Sequence, residues 1–206
     1  WIATNVGYLI TVDNYDNVYF SGGFDEPSLI LNNITYSKPT LITNTTGNDS
    51  IIIKLDHSGN VSFINWIVGD SNDNMFTDLL FDNNNNLYFC GYISADTIDL
   101  NYSLFNKDIQ KSGLPLGFIG RYSSENVLEK FIWIGGDQSD YLNGILLDTN
   151  NNIHIFGDSN STSITFDNVN YVNPNPNKIV VAPEYYHPDE PNLKRDMFYP
   201  KEFILK

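Results

Sequence analysis

The sequence predicts an all-β protein assembled from repeated four-stranded antiparallel units. Three observations carry this. Segments rich in β-branched and aromatic residues alternate with turns rich in Asn, Asp and Gly. The pattern recurs at a fixed interval, with Trp66 and Trp133 lying 67 residues apart in matching contexts. No stretch combines helical apolar periodicity with capping residues at its ends.

The elements follow in order. Strand A reads YLITV from Tyr8, LLF from Leu79 and ILL from Ile145. An Asp closes each copy, at Asp13, Asp82 and Asp148, spaced 69 and 66 residues apart. Short side chains that bond nearby backbone N–H groups make Asp and Asn good turn formers, so these carboxylates are expected to build Asx-type turns. Strand B follows as NVYFSG, NLYFCG and NIHIFG, with Gly22, Gly91 and Gly157 in one column. Strand C reads IIIKL from Ile51 and FIGRY from Phe118, with FILK from Phe203 as a third copy. Strand D runs to Trp66 and Trp133, and Trp1 fits the same column. A repeated four-stranded unit of this size is a β-propeller blade, whose two faces are buried by its neighbours. The expectation is a β-propeller of about three four-stranded antiparallel blades, an open arc or part of a larger or oligomeric ring. The repeats run approximately 1–66, 67–133 and 134–206, the last carrying an insertion at 172–202. Both chain ends read as cuts through a C–D hairpin, as in a processed product or a piece of a longer protein.

The elements GILLDTNNNIHIFG from Gly144 and FIGRYSSENVLEKFIWIGG from Phe118 resemble the bacterial-type β-propeller repeat called SBBP, and more distantly the NHL repeat. The excursion GYISADTIDLN from Gly91 is similar to that family's G-x-F-x-G-T-x-x-F-G element. The likeness covers nearly the whole chain except 172–202. It implies the propeller fold and almost nothing about activity, because propellers host many functions.

Composition narrows the classes of function. With 25 acidic and 11 basic residues, the formal charge is −14, and no basic stripe is present to neutralise phosphates, so nucleic acid is excluded as a partner. No apolar run is long enough to span a membrane as a helix, and no secretory signal peptide is visible. Cys90, the single cysteine, cannot form an internal disulfide or a C-x-x-C metal site, and its strand position suits burial. Richness in Asn (29 residues) with only three Ala points to an AT-rich genome, yet Lys is scarce, so the acidity reads as selected. That profile leads to the expectation of an extracellular, cell-surface or virion protein.

Candidate sites cluster on the links. In an up-and-down blade, the A–B and C–D turns share one face, and the long B–C links and the D–A loops share the other, which is expected to be acidic and decorated. Asp70 with Asp73, and Asp137 with Asp140, repeat a G-D-x-x-D pattern that could hold calcium; turn capping is the preferred reading, and no metal or cofactor is assigned. Tyr185, Tyr186, His187, Asp189 and Glu190 lie in a Pro-rich stretch suited to a protein contact. His187 between carboxylates offers the one general-base arrangement. His57 and His154 show no obvious partner. N-x-S/T sequons occur at Asn33, Asn44, Asn48, Asn60, Asn101 and Asn160, all but Asn60 on the long links.

No G-x-S-x-G elbow, P-loop, dinucleotide fingerprint or H-E-x-x-H motif is present. The leading expectation is therefore a non-catalytic propeller segment acting as a structural or protein-interaction module, its partner another protein or flanking blades of the same chain. The alternatives are a carbohydrate-binding propeller, whose Tyr and Trp rings stack on glycans, and a fragment of a propeller hydrolase or lyase.

Overall fold

The computed structural model describes residues 6–42, 48–71, 74–107, 113–149, 151–167, 169–173 and 179–180. These form seventeen strands in antiparallel sheets, without a helix among the described residues, and no sheet closes on itself. The protein is all-β.

Two four-stranded units are complete. In the first, β1 (Val6–Val12), β2 (Val18–Phe24), β5 (Asp49–Leu55) and β6 (Val61–Gly69) pair in that order. In the second, β7 (Asn74–Phe81), β8 (Leu87–Ile93), β11 (Leu116–Tyr122) and β12 (Leu128–Gly136) do the same. A third unit has β13 (Asp140–Leu147) and β14 (Ile153–Ser159). Strands A begin several residues earlier than their apolar runs suggest. Each carries a bulge, at Gly7/Leu9, Phe76/Asp78 and Leu142/Gly144. The bulge explains the glycine column of strand B. A Cβ on Gly91 would lie 1.9 Å from the Met75 carbonyl oxygen, and one on Gly157 would lie 2.0 Å from that of Tyr141. Only glycine lets the backbones approach this closely.

The third strand-C position is a correction. β17 (Ile179–Val180) lies inside the expected insertion at 172–202 and pairs with β14, Val180 opposite Gly157. In the complete units Ile51 sits opposite Gly22 and Phe118 opposite Gly91, so Val180 occupies the position assigned to FILK. FILK itself, like Trp1, lies outside the described residues.

The long B–C links are a second correction. They do not stay loops on one face. Each forms a hairpin: β3 (Ser28–Leu31) with β4 (Ile34–Ser37), β9 (Thr97–Leu100) with β10 (Leu104–Asn106), and β15 (Ser163–Phe166) with β16 (Val169–Val172). The second and third hairpins cross to the preceding unit. β9 pairs with β6, Leu100 opposite Ile67, and β15 pairs with β12, Phe166 opposite Ile134. The result is two six-stranded sheets, while β3–β4 forms a sheet of its own.

The core lies in the seams between units. Tyr19, Ile52 and Ile67 of the first unit meet Phe76, Leu79, Phe89 and Phe118 of the second in one cluster. Tyr88, Cys90 and Ile119 of the second meet Leu142, Ile145 and Ile153 of the third in another. A third cluster, with Phe24, Leu29, Ile51 and Trp66, joins the first hairpin to its own unit. Polar bonds reinforce the seams. Asn14 N–H donates to Asn85 Oδ1 at 2.9 Å, Ser50 Oγ donates to the Asn74 carbonyl, and Thr77 Oγ1 donates to the Leu142 carbonyl at 2.7 Å. Ile145 N–H donates to Asp78 Oδ2 at 3.0 Å.

Candidate functional site

The repeated carboxylates are occupied by local donors. Tyr15 and Asn17 N–H groups donate to Asp13 Oδ1, both at 2.9 Å, and Asn17 Nδ2 donates to Oδ2 at 2.8 Å. Asp82 receives the N–H groups of Asn84 and Asn86 and the Asn86 side chain in the same way. Asp148 receives the backbone and side chain of Asn152. The C–D turn repeats the device at Asp56 with Ser58 and Asn60. These are the expected Asx turns. Burial opposes ionisation of Asp13, but the Asn17 and Tyr15 donors and the Lys54 charge outweigh it and hold its carboxyl below the usual range. Lys54 Nζ lies 3.3 Å from Asp13 Oδ2 and 5.1 Å from the centre of the Tyr19 ring.

Of the four carboxylates considered for calcium, Asp73 lies outside the described residues. Asp140 is buried and serves as a hub. It accepts Gly136 N–H at 2.7 Å, Ser159 Oγ at 2.5 Å and Ser161 Oγ at 2.8 Å. Asp70 Oδ1 accepts Asp96 N–H at 2.9 Å. Asp137 is exposed on the turn. No group of three or more potential metal ligands is found among the described residues. Asp140 and Asp70 fasten the turn between strands D and A to the start of the next B–C hairpin.

His154 does have a partner, contrary to its sequence reading: Nε2 faces Asp148 Oδ2 at 3.7 Å. His57 is exposed in the C–D turn. Cys90 is fully buried beside Thr77, and burial pushes its thiol up to about 12, so it is an apolar core group rather than a nucleophile. The interaction candidates Tyr185, Tyr186, His187, Asp189 and Glu190 lie outside the described residues.

Among the sequons, Asn44 lies outside the described residues, and Asn33, Asn48, Asn60, Asn101 and Asn160 are exposed. Asn33 and Asn101 occupy the tight turns of β3–β4 and β9–β10, with φ of 62° and 49°. Asn101 N–H donates to the Trp66 carbonyl at 3.2 Å, which places this turn along a D strand, at the outer edge of the first unit's sheet. Asn33 and Asn101 thus lie in the hairpin turns of the long links, and Asn48 and Asn160 elsewhere on those links.

Two sites escaped sequence reasoning. One is a polar cavity of about 710 Å³ at the seam between the second and third units, lined by Asn84, Tyr88, Arg121, Lys130 and Asn152 among others. Arg121 bonds Glu129 at 2.7 Å and lies over the Tyr88 ring, and Lys130 approaches Asp167 at 3.4 Å. With its cations already paired, the wall suits an uncharged polyhydroxyl ligand better than an anion. The other is Lys107, whose Nζ donates to the Ser94 and Leu114 carbonyls at 2.9 and 2.8 Å. Burial lowers its pKa to about 8, against the pull of Asp96 and Asp70. The equivalent Lys38 closes its link through Asp49 at 2.7 Å, and Asn173 through the Ser161 carbonyl at 2.8 Å, so Lys107 belongs to a repeated clasp. Neither site has a sequence motif, because each is assembled across distant segments.

Comparison with protein-family models and with curated proteins returns no match.

Proposed function

We propose that the chain is an arc of β-propeller blades that acts as a non-catalytic structural or protein-interaction module. The observation that carries this is the repeated seam. Successive units pack face to face, with the A strands β1, β7 and β13 in contact along one line, and hairpins from one unit extend the sheet of the last. That is the packing a propeller needs, and the SBBP-like motifs agree with it. The exposed sequons and the acidic balance suit an extracellular, cell-surface or virion setting. Solution scattering tests the architecture, with a curve matching three units fanned about an axis expected. A panel of glycoside, ester and uronate substrates tests the role. Turnover that disappears on Arg121→Ala or Asp140→Asn would replace this reading with an enzymatic one.

The seam cavity favours one second reading, a saccharide-binding module. The Asn84 and Asn152 amides and the Arg121 guanidinium, which lies over the buried Tyr88 ring, supply hydrogen-bonding groups of the kind that sugar sites use. A glycan array would show hits that weaken on Arg121→Ala; an empty array removes it.

A further inference from the structure

We propose that the three B–C hairpins carry N-linked glycans, with Asn33, Asn101 and Asn160 as the acceptor residues. This rests on the extracellular, cell-surface or virion setting of the proposed module and names a modification made in such a setting.

An acceptor needs an accessible Asn carboxamide and a hydroxyl two residues on, neither committed to the fold. The sequons of the described residues divide on this requirement. Ser50, the hydroxyl residue of the Asn48 sequon, is buried, and its Oγ donates to the Asn74 carbonyl. Asn60 Nδ2 donates to Asp56 Oδ2 at 3.2 Å and helps to close the C–D turn. Asn33, Asn101 and Asn160 are exposed, and so are their hydroxyl residues Thr35, Ser103 and Thr162. None of these side chains makes a hydrogen bond among the described residues. Turn chemistry accounts for only part of this pattern. Asn33 and Asn101 have φ of 62° and 49°, a region that Asn enters at little cost. That reason does not extend to Thr35 and Ser103, which lie beyond the positive-φ residues, nor to Asn160.

The sequons also differ in offset. Asn33 is the second residue of its turn, Asn101 is the first of the equivalent turn, and Asn160 precedes β15. A turn residue copied with the repeat would fall in one column, whereas these recur hairpin by hairpin. Their exposure does not hinge on flanking units. β9 and β15 are docked on β6 and β12, yet Asn101 and Asn160 stay exposed. Leu31 with Ile34 and Leu100 with Ser103 close equivalent turns, so Asn33 matches Tyr102 and Thr35 matches Leu104, both exposed on a docked hairpin. A large apolar side chain stands in water beside each acceptor. Ile34, next to Asn33, is 54% exposed, and Tyr102, next to Asn101, is 63% exposed. Val172, opposite Ser163 just past the Asn160 sequon, is 81% exposed. A bulky, solubilising oligosaccharide at these points covers that apolar surface.

In the transfer, Asn Nδ2 attacks the anomeric carbon of an oligosaccharide carried on a lipid diphosphate. The N–C bond forms as the bond from that carbon to the diphosphate oxygen breaks. The lipid diphosphate leaves, and one Nδ2 proton passes to a base of the transferase. Translation of the full chain behind a cleavable secretion signal, in the presence of microsomes, tests the acceptors whether or not the product is later secreted. At least three steps in mass are expected, all removed by an amidase specific for N-linked glycans. Asn33→Gln, Asn101→Gln and Asn160→Gln should each delete one step. Thr35→Ala, Ser103→Ala and Thr162→Ala keep the asparagines and should repeat each loss. A site whose two variants both leave the mass pattern unchanged is struck. A chain without glycans, or with glycans confined to Asn44, Asn48 or Asn60, overturns the proposal. Scattering of the unglycosylated chain tests the propeller reading by itself, so the two fail separately.

Discussion

Two buried or half-buried aspartates illustrate how the same residue type acts in opposite senses here. Asp82 is satisfied by three donors from the following four residues. Asp82→Ala should cost about 1–3 kcal/mol, measured by urea unfolding, because it leaves those donors at a closed turn. This role is legible in sequence, since D-x-x-x-N repeats and the partners are local. Asp99 is different. It is fully buried and accepts Tyr102 N–H at 2.6 Å. Burial pushes its pKa up, only partly offset by backbone donors. A folded pKa above the unfolded one means that stability is fully present below the unfolded value and falls as pH rises through the folded one. Comparing the wild type with Asp99→Asn from about pH 3 to pH 7, the wild type should therefore lose ground. A wild type that gains ground over that window would contradict the assignment. Asp13, held below its usual range, has the opposite sign: its contribution is lost as the medium is acidified through its folded pKa. Nothing in the sequence marks Asp99, because its burial depends on a hairpin docking to another unit.

Strands A to D of the first two units were readable because each carries β-branched or aromatic residues bounded by turn chemistry. The hairpins were not. Their strands have only three or four residues, and their stabilising partners lie in the preceding unit, out of reach of any local window. FILK was assigned to strand C by pattern, while pairing selects Ile179–Val180, a weaker match beside a Pro- and Asn-rich stretch. The A-strand bulges were equally hidden, although the glycine column facing them was visible. That column gives a direct test. Gly91→Ala must push a Cβ against the Met75 carbonyl, so a loss of about 1–3 kcal/mol or more is expected in thermal or urea unfolding. Gly59→Ala offers a contrast, since no atom lies within 4 Å of its added Cβ and only its φ of +79° resists the change.

At the scale of the whole chain, the hairpins decide how the units unfold. A stack held by seams alone behaves as coupled but separable repeats. Here two of the seams are also crossed by backbone ladders, because β9 belongs in sequence to the second unit and in its sheet to the first. Opening the first seam therefore exposes Phe89 and Phe118 and also strips three residue pairs from β6. Phe89 is the point at which this coupling can be probed. It is fully buried, stacked on Tyr122 at 5.2 Å, and its ring lies against Gly120, where a Cβ would come within 2.1 Å. Phe89→Ala should cost about 3–5 kcal/mol. If the ladders couple the units, the loss appears as one shifted transition, with amides of β6, β12 and β14 losing hydrogen-exchange protection together. Loss of protection confined to the first two units, with β13 and β14 unaffected, would show that the seams act singly and that the hairpins add contacts without cooperativity.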